Sequence, residues 1–390
     1  MTGPASIFAP KRLFSLDVLR GLTIAFMIMV NNPGGPGAWA EMRHAAWNGF
    51  TATDLVFPTF LFVVGTSLVF STEARLKRGD SRAKLAWHTL RRAVILFLLG
   101  IVVNGFPYFH LHHLRIYGVL QRIAICYLVV SLFYLWDRRV WTKAAVLAAV
   151  LIGYWILVRW VPVPEAGIPS RDIPFLDMNQ NIVAWVDRQL MPGHLYEDAP
   201  LYSARDPEGL LSDIPAIGTT LLGLLTALWL RGPRTVKTKT LGLAAGAAAC
   251  LASGYLWSVW FPLNKKMWTS SYVLVAAGWS LLVFALVYWA MEQRGWGKAG
   301  LTKGLVWPWL VFGSNAIVAY MISELLAPAV DLVPVTAGGR RIDALRFVYV
   351  HVFMPIANPG WRALAYSISY TAVCFLPVWF LYRKRIFVKV

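Results

Sequence analysis

The chain has 390 residues, of which 58% are hydrophobic and 14% are charged, and its mean hydropathy is +0.56. A soluble domain has about 25% charged residues, so this composition excludes an ordinary soluble protein and indicates an integral membrane protein. In a soluble chain, the formal net charge of +18 would suggest nucleic acid as a partner. Here the basic residues lie mostly at the ends of apolar runs, as topology signals do, so we expect no nucleic-acid binding.

Apolar runs long enough to cross a bilayer, about 20 residues each, occur ten times along the chain. We therefore predict an all-α, polytopic membrane helical bundle that forms a single domain over residues 1–390. No small-residue cleavage site follows the first run, so we expect the first helix to be retained and not removed as a signal peptide. The runs lie near residues 17–32, 54–71, 91–106, 116–136, 143–161, 213–230, 241–260, 270–290, 306–327 and 361–382.

Lysine and arginine are distributed unevenly between the two sides of this bundle. If the N-terminus is cytoplasmic, the inner segments, which begin with Lys11 and Arg12 and end with Lys389, hold 25 of the 37 basic residues, and the outer loops hold 12. The inner count includes Arg20 and Arg122, which we place near the inner ends of their helices. Because cytoplasmic loops carry the excess of positive charge, we predict that both termini are inside.

Ten spans with both termini inside give five outer loops, and the three longest, called the first, second and third outer loops, lie near residues 33–53, 162–212 and 328–360. The second is rich in proline and aspartate. The third contains a stretch, Leu345–Ile356, that is interpreted as a re-entrant or interfacial helix.

Neither a disulfide nor a metal site is indicated by the cysteine and histidine spacing. The three cysteines lie inside apolar runs without CxxC spacing, so we expect free thiols packed as small hydrophobic side chains. Three histidines in one outer loop lack the spacing of a closed metal site, and we interpret them as part of a polar interfacial loop with no metal. These residues are Cys126, Cys250, Cys374, His110, His112 and His113.

The first helix has polar residues at both ends, and each needs a reason because polar side chains are costly at membrane depth. Asp17 and Arg20 are three residues apart and share a helix face. We interpret them as a structural ion pair, the alternative being a cofactor-binding role for Arg20. Asn31 and Asn32 end the helix before a Pro-Gly run, either as a plain helix stop or with an amide that points into a site, where it could polarise a carbonyl group.

His44 lies in the short loop after this helix, Trp47 and Asn48 follow closely, and Asp54 opens the second helix. Histidine is the side chain best suited to accept a proton near neutral pH, so His44 is a candidate catalytic base, although a histidine in a loop is more often simply solvated. Asp54 is explained either as the N-cap of the second helix or as a partner that orients His44.

Further polar residues lie within apolar runs. Gln121 and Arg122 are in the fourth run, and Arg115 precedes Arg122 by seven residues, which corresponds to about two turns on the same helix face. Such a cationic face could hold an anionic ligand or be paired with a buried carboxylate. Asn315 and Glu324, nine residues apart in the ninth run, are also expected to face the same way.

Lys265 and Lys266 lie at the outer end of the seventh run, beside Trp268. This pattern is typical of an interface anchor, and we predict that the two lysines also contact substrate.

Seven motifs in chain order resemble those of the heparan-α-glucosaminide N-acetyltransferase family, and the resemblance covers nearly the whole chain. The motif around His44 is the long and specific one. The motifs are SLDVLRG (15–21), VNNPGG (30–35), RHAAWNGFTATDLVFPTFLFVVG (43–65), GVLQRIAICY (118–127), DPEGLLSDIPAI (206–217), FPLNKKMWTSSY (261–272) and VFGSNAIVAY (311–320).

The resemblance implies acetyl transfer from cytosolic acetyl-CoA to the amine of a glucosamine-type sugar on the outer side of the membrane. It implies that His44 and Asn31 match the active-site histidine and asparagine, and that CoA lies in the helical bundle. The chain is similar to bacterial members, so a multi-pass protein of the bacterial inner (cell) membrane is expected. The expected partners are an amino-sugar acceptor and the lipid bilayer, with a homodimer left open.

We assign the predicted site residues on this basis. The catalytic set is His44, Asn31 and Asp54. The acetyl-CoA-binding set is Arg20, Arg115, Gln121 and Arg122, and the acceptor-binding set is Trp47, Asn48, Lys265 and Lys266.

Two questions remain open at this level. Within the transferase class, His44 either takes the proton of the attacking amine or carries the acetyl group itself as a covalent intermediate. From another class, an amino-sugar permease would move the sugar without acetyl-CoA, but it gives no particular reason for the residues around His44.

Overall fold

The computed structural model describes residues 13–35, 37–196, 205–337 and 340–388. Lys11, Arg12 and Lys389 lie outside the described residues, as does the part of the second outer loop at 197–204. The described helices are α1 (Phe14–Asn31), α2 (Val56–Leu76), α3 (Arg82–Gly105), α4 (Val119–Trp136), α5 (Val140–Trp160), α6 (Ile182–Leu190), α7 (Asp213–Arg231), α8 (Val236–Ser258), α9 (Ser270–Tyr288), α10 (Gly300–Ser314), α11 (Ala316–Asp331), α12 (Ala344–Val348) and α13 (Pro359–Arg383). Strands β1 (Pro334–Ala337) and β2 (Arg340–Asp343) pair antiparallel.

Nine of the described helical segments are long and apolar enough to cross a membrane, and α10 with α11 forms a tenth that is bent by 79°. The prediction of an all-α bundle with about ten spans is therefore confirmed. The orientation with both termini inside stays a prediction.

The ninth span differs from the prediction because it is broken at Asn315. The side chain of Asn315 donates from Nδ2 to the carbonyl oxygen of Ile386 at 3.0 Å. Its Oδ1 atom accepts from the backbone N–H of Val388 at 2.9 Å. Its partners are 71 and 73 positions further along the chain, so these bonds attach the break to the segment that follows α13. The prediction that Asn315 and Glu324 share a helix face is therefore wrong.

Five spans form the inside of the bundle. Between 61% and 72% of the spanning windows of α1, α2, α4, α7 and α9 are buried, whereas α3, α5, α8 and α13 have only 17–22% buried. The peripheral helices expose large apolar side chains such as Leu98, Ile156 and Leu256. Apolar helices with outward-facing apolar surface are suited to lipid contact.

Small residues bring α2 and α7 close together. A side chain on Gly65 of α2 would collide with the backbone of Thr220 in α7, and one on Gly223 of α7 would collide with the backbone of Phe62. Small residues at contacts between membrane helices permit this approach. The N-terminal ends of α2 and α7, which carry polar residues discussed below, are held at the same end of the bundle as a result.

The loops contain more regular structure than their composition indicates. Helix α3 begins nine residues before the predicted 91–106, because Ser81 caps it by accepting a hydrogen bond from the Lys84 amide at 3.2 Å. The second outer loop contains α6, and the third contains the β1–β2 hairpin. The helix expected at Leu345–Ile356 is present as an apolar helical segment at Ala344–Phe353.

All three cysteines are free, as predicted. One prediction about charge is wrong: Arg122 lies in the first turn of α4 and pairs with Asp213 in the first turn of α7. In the predicted orientation this is the outer end of both helices. Assigning Arg122 to the outer side lowers the number of inner basic residues from 25 to 24 of 37 (25 − 1). The excess of positive charge on the inner side therefore remains.

Candidate active site

His44 and Asp54 form a hydrogen-bonded pair at the start of the second span. The Nδ1 atom of His44 is 2.8 Å from Oδ1 of Asp54. The Asp54 side chain is only 1% exposed, whereas the His44 side chain is 45% exposed. Because a carboxylate accepts hydrogen bonds, we assign the proton to Nδ1. The lone pair of Nε2 is then available for proton transfer.

The loop before α2 holds the Asp54 carboxylate rigidly. Its Oδ2 atom accepts from the amides of Ala45 and Thr51, at 3.1 and 3.2 Å, and from the Thr51 hydroxyl at 3.0 Å. The hydroxyl of Tyr272 donates to the Asp54 backbone carbonyl at 2.6 Å. Asp54 bonds the preceding loop and not the first amides of α2, whose N-cap is Leu55 without a side-chain cap. Of the two explanations for Asp54, the structure shows the contact with His44.

Lys265 completes this cluster from the segment between α8 and α9. Its Nζ atom lies 3.0 Å from Nδ1 and 3.4 Å from Nε2 of His44, and 3.6 Å from Oδ1 of Asp54. The Lys265 side chain is 18% exposed. A cation, an imidazole and a carboxylate therefore meet within hydrogen-bond or ion-pair distance.

These neighbours set the charge of the imidazole. Burial by the surrounding protein lowers the pKa of His44, and the Lys265 ammonium lowers it further, while Asp54 and Glu208 act in the opposite direction. The net result is a pKa below the ordinary value of about 6.5. His44 is therefore neutral at pH 7, the state that a general base requires.

Backbone and amide contacts hold the His44 loop against the segment that carries Lys265. The side-chain Nδ2 of Asn264 donates to Oδ1 of Asn48 at 3.1 Å, and Nζ of Lys266 donates to the backbone carbonyl of Ala46 at 2.7 Å. The Gly49 amide donates to the carbonyl of Leu263 at 2.9 Å. The predicted acceptor-binding residues Asn48, Lys265 and Lys266 are thus brought together at one place.

Trp47 is also at this place, but it faces the second outer loop. Its indole donates to the carbonyl of Leu176 at 2.7 Å, and the Arg205 guanidinium stacks 4.3 Å from its ring centre. A polar cavity of about 10 Å³ lies between Trp47, Lys266 and Asp187. This volume holds about one water molecule, so it is too small for a sugar.

A larger apolar groove lies elsewhere, between α3, α4, α5 and α7, with a volume of about 690 Å³. Its lining includes none of the predicted site residues. We therefore do not assign it to the chemistry.

Asn31 is the last residue of α1, and its amide faces Glu324 of α11, with Nδ2 to Oε1 at 3.5 Å. No hydrogen bond between Asn31 and the His44 cluster is present among the described residues. Asn32 makes the helix stop, because its amide donates to the carbonyl of Ile28 at 2.9 Å. The catalytic role of Asn31 stays a prediction.

Arg20 makes the structural contacts that we interpreted for it. Its guanidinium pairs with Asp17 at 3.0 Å and donates to the hydroxyl of Ser67 at 2.8 Å. It lies in the second turn of α1, whereas His44 follows the opposite end of that helix. A cofactor-binding role for Arg20 stays a prediction.

Arg115 is paired with carboxylates from the segment before α7. It bonds Asp206 at 2.8 Å and Glu208 at 2.5 Å. Burial alone would lower the pKa of Arg115, but the two carboxylates outweigh burial and raise it. Arg115 precedes α4 by four residues, so the prediction that it shares a helix face with Arg122 is wrong.

Arg122 is fully buried and has its own carboxylate. It bonds Asp213 at 2.8 Å, donates to Ser212, and stacks 4.8 Å from the ring centre of Trp268. The structure pairs both arginines with buried carboxylates. Of the two alternatives that the sequence leaves open, an anionic ligand or a buried carboxylate, it shows the second. Gln121 points instead toward Gly100 of α3.

Some capacity for a polar ligand remains on α4. Nη1 of Arg122 and both amide atoms of Gln121 are buried and make no hydrogen bond within the described part of the chain. Buried polar groups are normally satisfied, so these two residues fit a polar co-substrate better than Arg115 does. Acetyl-CoA binding by this set stays a prediction.

The Arg122–Asp213 pair should matter for stability. The Arg122→Met variant leaves the Asp213 carboxylate buried without its cation, so we expect the free energy of unfolding to fall by about 3–5 kcal/mol. Thermal unfolding in detergent measures the loss.

A matched control for this variant is the exposed Arg171–Asp172 pair, whose side chains are 71% and 36% exposed. Arg171→Met should cost at most about 1 kcal/mol. Equal unfolding temperatures for Arg122→Met and Arg171→Met would contradict the structural role of the buried pair.

Sequence reasoning missed four residues that the structure places around the site, namely Asn264, Asp206, Glu208 and Asp213. Asp206, Glu208 and Asp213 lie in the DPEGLLSD stretch, and the signal for them was the presence of acidic residues next to the start of an apolar run. Asn264 precedes the two predicted lysines directly. None of them could be paired with a partner from the sequence alone.

Metal ligands are not grouped in the part of the chain that the structure describes: no three His, Cys, Asp or Glu side chains there could hold a metal ion together. The expectation of no metal stays a prediction.

Comparison with known proteins gives the family. Residues 12–172 match the family described as heparan-alpha-glucosaminide N-acetyltransferase, catalytic. The human protein named heparan-alpha-glucosaminide N-acetyltransferase is 30% identical over 365 residues, an alignment that covers 81% of this chain and 53% of that protein. The chain belongs to this family.

The mouse protein of the same name is 28% identical over 366 residues, covering 81% of this chain and 54% of that protein. The chain thus spans about half the length of the curated relatives that it matches. The match to the catalytic family includes the His44–Asp54 loop and α1 to α5, whereas Lys265 lies beyond it. The family resemblance inferred from the motifs is confirmed.

Proposed function

We propose that the chain is a membrane-bound N-acetyltransferase that moves the acetyl group of acetyl-CoA to the amine of a glucosamine-type sugar. The observation that carries this proposal is the neutral, half-exposed imidazole of His44, anchored by the buried carboxylate of Asp54. Support also comes from the two mammalian relatives, whose name states N-acetyl transfer to a glucosaminide.

In the proposed reaction the sugar amine must be neutral to attack the acetyl carbonyl. Nε2 of His44 accepts the proton that the amine loses as the new bond forms. Asp54 holds the ring by Nδ1 and stabilises the imidazolium that results. The imidazolium then supplies the proton that the CoA sulfur takes up on leaving.

Asn31 is the proposed oxyanion donor, on the basis of the family resemblance. Its amide lies at the same end of α1 as the His44 loop and now faces Glu324. A hydrogen bond to the developing oxyanion would stabilise the transition state by a few kcal/mol, about 3–4 for a well-aligned donor.

The covalent alternative uses the same residues. Nε2 of His44 would attack acetyl-CoA itself, and the sugar amine would remove the acetyl group in a second step. The half-exposed ring of His44 is compatible with both routes.

Sidedness is the second part of the proposal. We infer that acetyl-CoA is supplied from the cytoplasm and that the acceptor is outside, in the inner membrane of a bacterium. In the predicted orientation the His44 loop is on the outer side. The separation of acetyl-CoA from the acceptor by the membrane would explain why the catalytic loop is carried by spanning helices.

Sealed vesicles containing the protein test both parts. With acetyl-CoA inside and labelled glucosamine outside, or the reverse, we expect acetylated sugar in only one of the two arrangements for each inserted orientation. The His44→Ala variant is the control and should produce none. Entry of unmodified glucosamine into vesicles without acetyl-CoA would favour the permease and contradict the transferase.

A further inference from the structure

Lys265 presents a primary amine directly beside His44. Its Nζ atom is 3.0 Å from Nδ1 and 3.4 Å from Nε2 of the imidazole. A general base must lie within hydrogen-bond reach of the group that it deprotonates, about 2.6–3.2 Å, and this distance is often longer before the substrates bind. The amine of Lys265 is therefore as close to the proposed base as the amine of an acceptor sugar would have to be.

We propose that Lys265 is itself an acetylation site, modified by the chain's own acetyl-transfer chemistry when no sugar amine occupies the acceptor position. This inference rests on the proposed function, since it uses the same acetyl donor and the same base. The chemical class of the modification is an amide, Nε-acetyl-lysine.

The step balances without any further reactant. The neutral Nζ attacks the acetyl carbonyl carbon and forms a carbon–nitrogen bond, while the bond between that carbon and the CoA sulfur breaks. The proton lost by Nζ passes to His44 and then to the sulfur, giving acetyl-lysine and free CoA thiol. If the acetyl group first resides on Nε2 of His44, the bond to Nε2 breaks instead and the amide product is the same.

The charge state of Lys265 determines how fast this happens. Burial has the largest effect and lowers the pKa of Lys265, the carboxylates of Asp54 and Glu208 act in the opposite direction, and Lys266 lowers it further, so that the net pKa is below the ordinary value. An ammonium is not a nucleophile, so only the fraction of Lys265 that has a neutral amine reacts. Its rate should rise with pH as more of the Lys265 amine becomes neutral.

Acetylation of Lys265 would change the site in two ways. It removes the cation that lowers the pKa of His44, and it adds bulk where Nζ contacts the imidazole. The modified chain should therefore lose activity, so that the protein inactivates itself when acetyl-CoA is present and acceptor is absent.

Lys266 is a matched internal control on the same peptide. Its Nζ donates to the carbonyl of Ala46 at 2.7 Å, and no hydrogen bond between Lys266 and the His44 ring is present among the described residues. Acetylation guided by His44 should select Lys265, whereas simple chemical acetylation by the thioester should not distinguish the two lysines.

The experiment uses the full chain in detergent or nanodiscs with deuterium-labelled acetyl-CoA and no sugar. After quenching, hydroxylamine removes acetyl-imidazole and leaves amides, and peptide mass spectrometry reads the label at each lysine. We expect at least about 100-fold faster labelling of Lys265 than of Lys266, given the advantage of a held geometry. Saturating glucosamine should slow the labelling, and the His44→Ala variant and detergent-unfolded protein should lose the preference.

The outcomes separate this inference from the proposed function. Acetylation of glucosamine with Lys265 unlabelled after the sugar-free incubation would overturn the inference and leave the proposed function intact. Equal labelling of the two lysines would also overturn it. Selective, His44-dependent labelling of Lys265 without acetylation of any amino sugar would support the inference and overturn the proposed acceptor.

Discussion

Replacing His44 with alanine should lower the rate of acetyl transfer to an amino sugar by about 100- to 10,000-fold, the range that general acid–base catalysis contributes. The loss follows from removal of the one group at the site that is neutral at pH 7 and bonded to a buried carboxylate. The side chain is 45% exposed, so its truncation leaves no cavity in the core and the protein should unfold at nearly the same temperature. Release of CoA thiol in the presence of glucosamine measures the rate.

His110→Ala is the matched control for this variant. His110 lies in the loop after α3, where it stacks on Tyr108, and it is not part of the His44 cluster. We expect this control to keep full activity. Full activity in His44→Ala as well would exclude His44 as base and as acetyl carrier.

Rapid mixing separates the two routes that share His44. Labelled acetyl-CoA without acceptor should leave hydroxylamine-sensitive label on the chain within one turnover time only if the acetyl-histidine forms. Direct transfer leaves none of this labile label at that time, since acetylation of Lys265 gives a stable amide.

The His44–Asp54 pair could be predicted because both residues lie in one short loop. They are ten positions apart, so a local pattern of polar residues between two apolar runs is enough to find them. Their geometry was not predictable: the choice between capping α2 and binding His44 depends on how the loop folds back on itself through Ala45 and Thr51.

The partners of the predicted cations could not be found in the same way. Arg122 and Asp213 are 91 positions apart, and Asn48 and Asn264 are 216 apart. Hydropathy shows where each run begins, but it does not show which runs pack together. The packing of α4 against α7 decides the first pairing, and the packing of the segment between α8 and α9 against the His44 loop decides the second.

The break in the ninth span is a similar case. Its apolar run is continuous in the sequence, so length and hydropathy predict one helix. At the break, the segment after α13 supplies hydrogen-bond partners for both Nδ2 and Oδ1 of Asn315. A tertiary contact of this kind overrides the local pattern.

The second large effect concerns the pH dependence of the rate and separates the roles of Lys265 and Asp54. Acetyl transfer requires neutral His44, so kcat/KM should fall on the acid side as the imidazole becomes protonated. Burial has the largest effect and lowers the pKa of His44. Lys265 lowers it further, and Asp54 raises it. Removing each neighbour should therefore move the acid limb in opposite directions.

For Lys265→Met the pKa of His44 rises, so more of the imidazole is protonated at a given pH and the acid limb moves to higher pH. For Asp54→Asn the pKa falls and the acid limb moves to lower pH, while the plateau also drops because the ring loses the carboxylate that orients it. On the acid limb, each pH unit of displacement changes the rate about tenfold. Profiles of kcat/KM for acetyl-CoA and glucosamine between pH 4.5 and about 8 record both limbs, a range that brackets the histidine pKa.

Lys266→Met is the control for charge alone. It removes the same unit of charge one position along the chain, from an amine that bonds the Ala46 carbonyl and is not among the main influences on the pKa of His44. Its acid limb should stay near that of the unmodified protein. If the acid limbs of Lys265→Met and Asp54→Asn move in the same direction, the titrating group is not His44. A base held between a cation and a carboxylate must change its pKa in opposite directions when one or the other is removed.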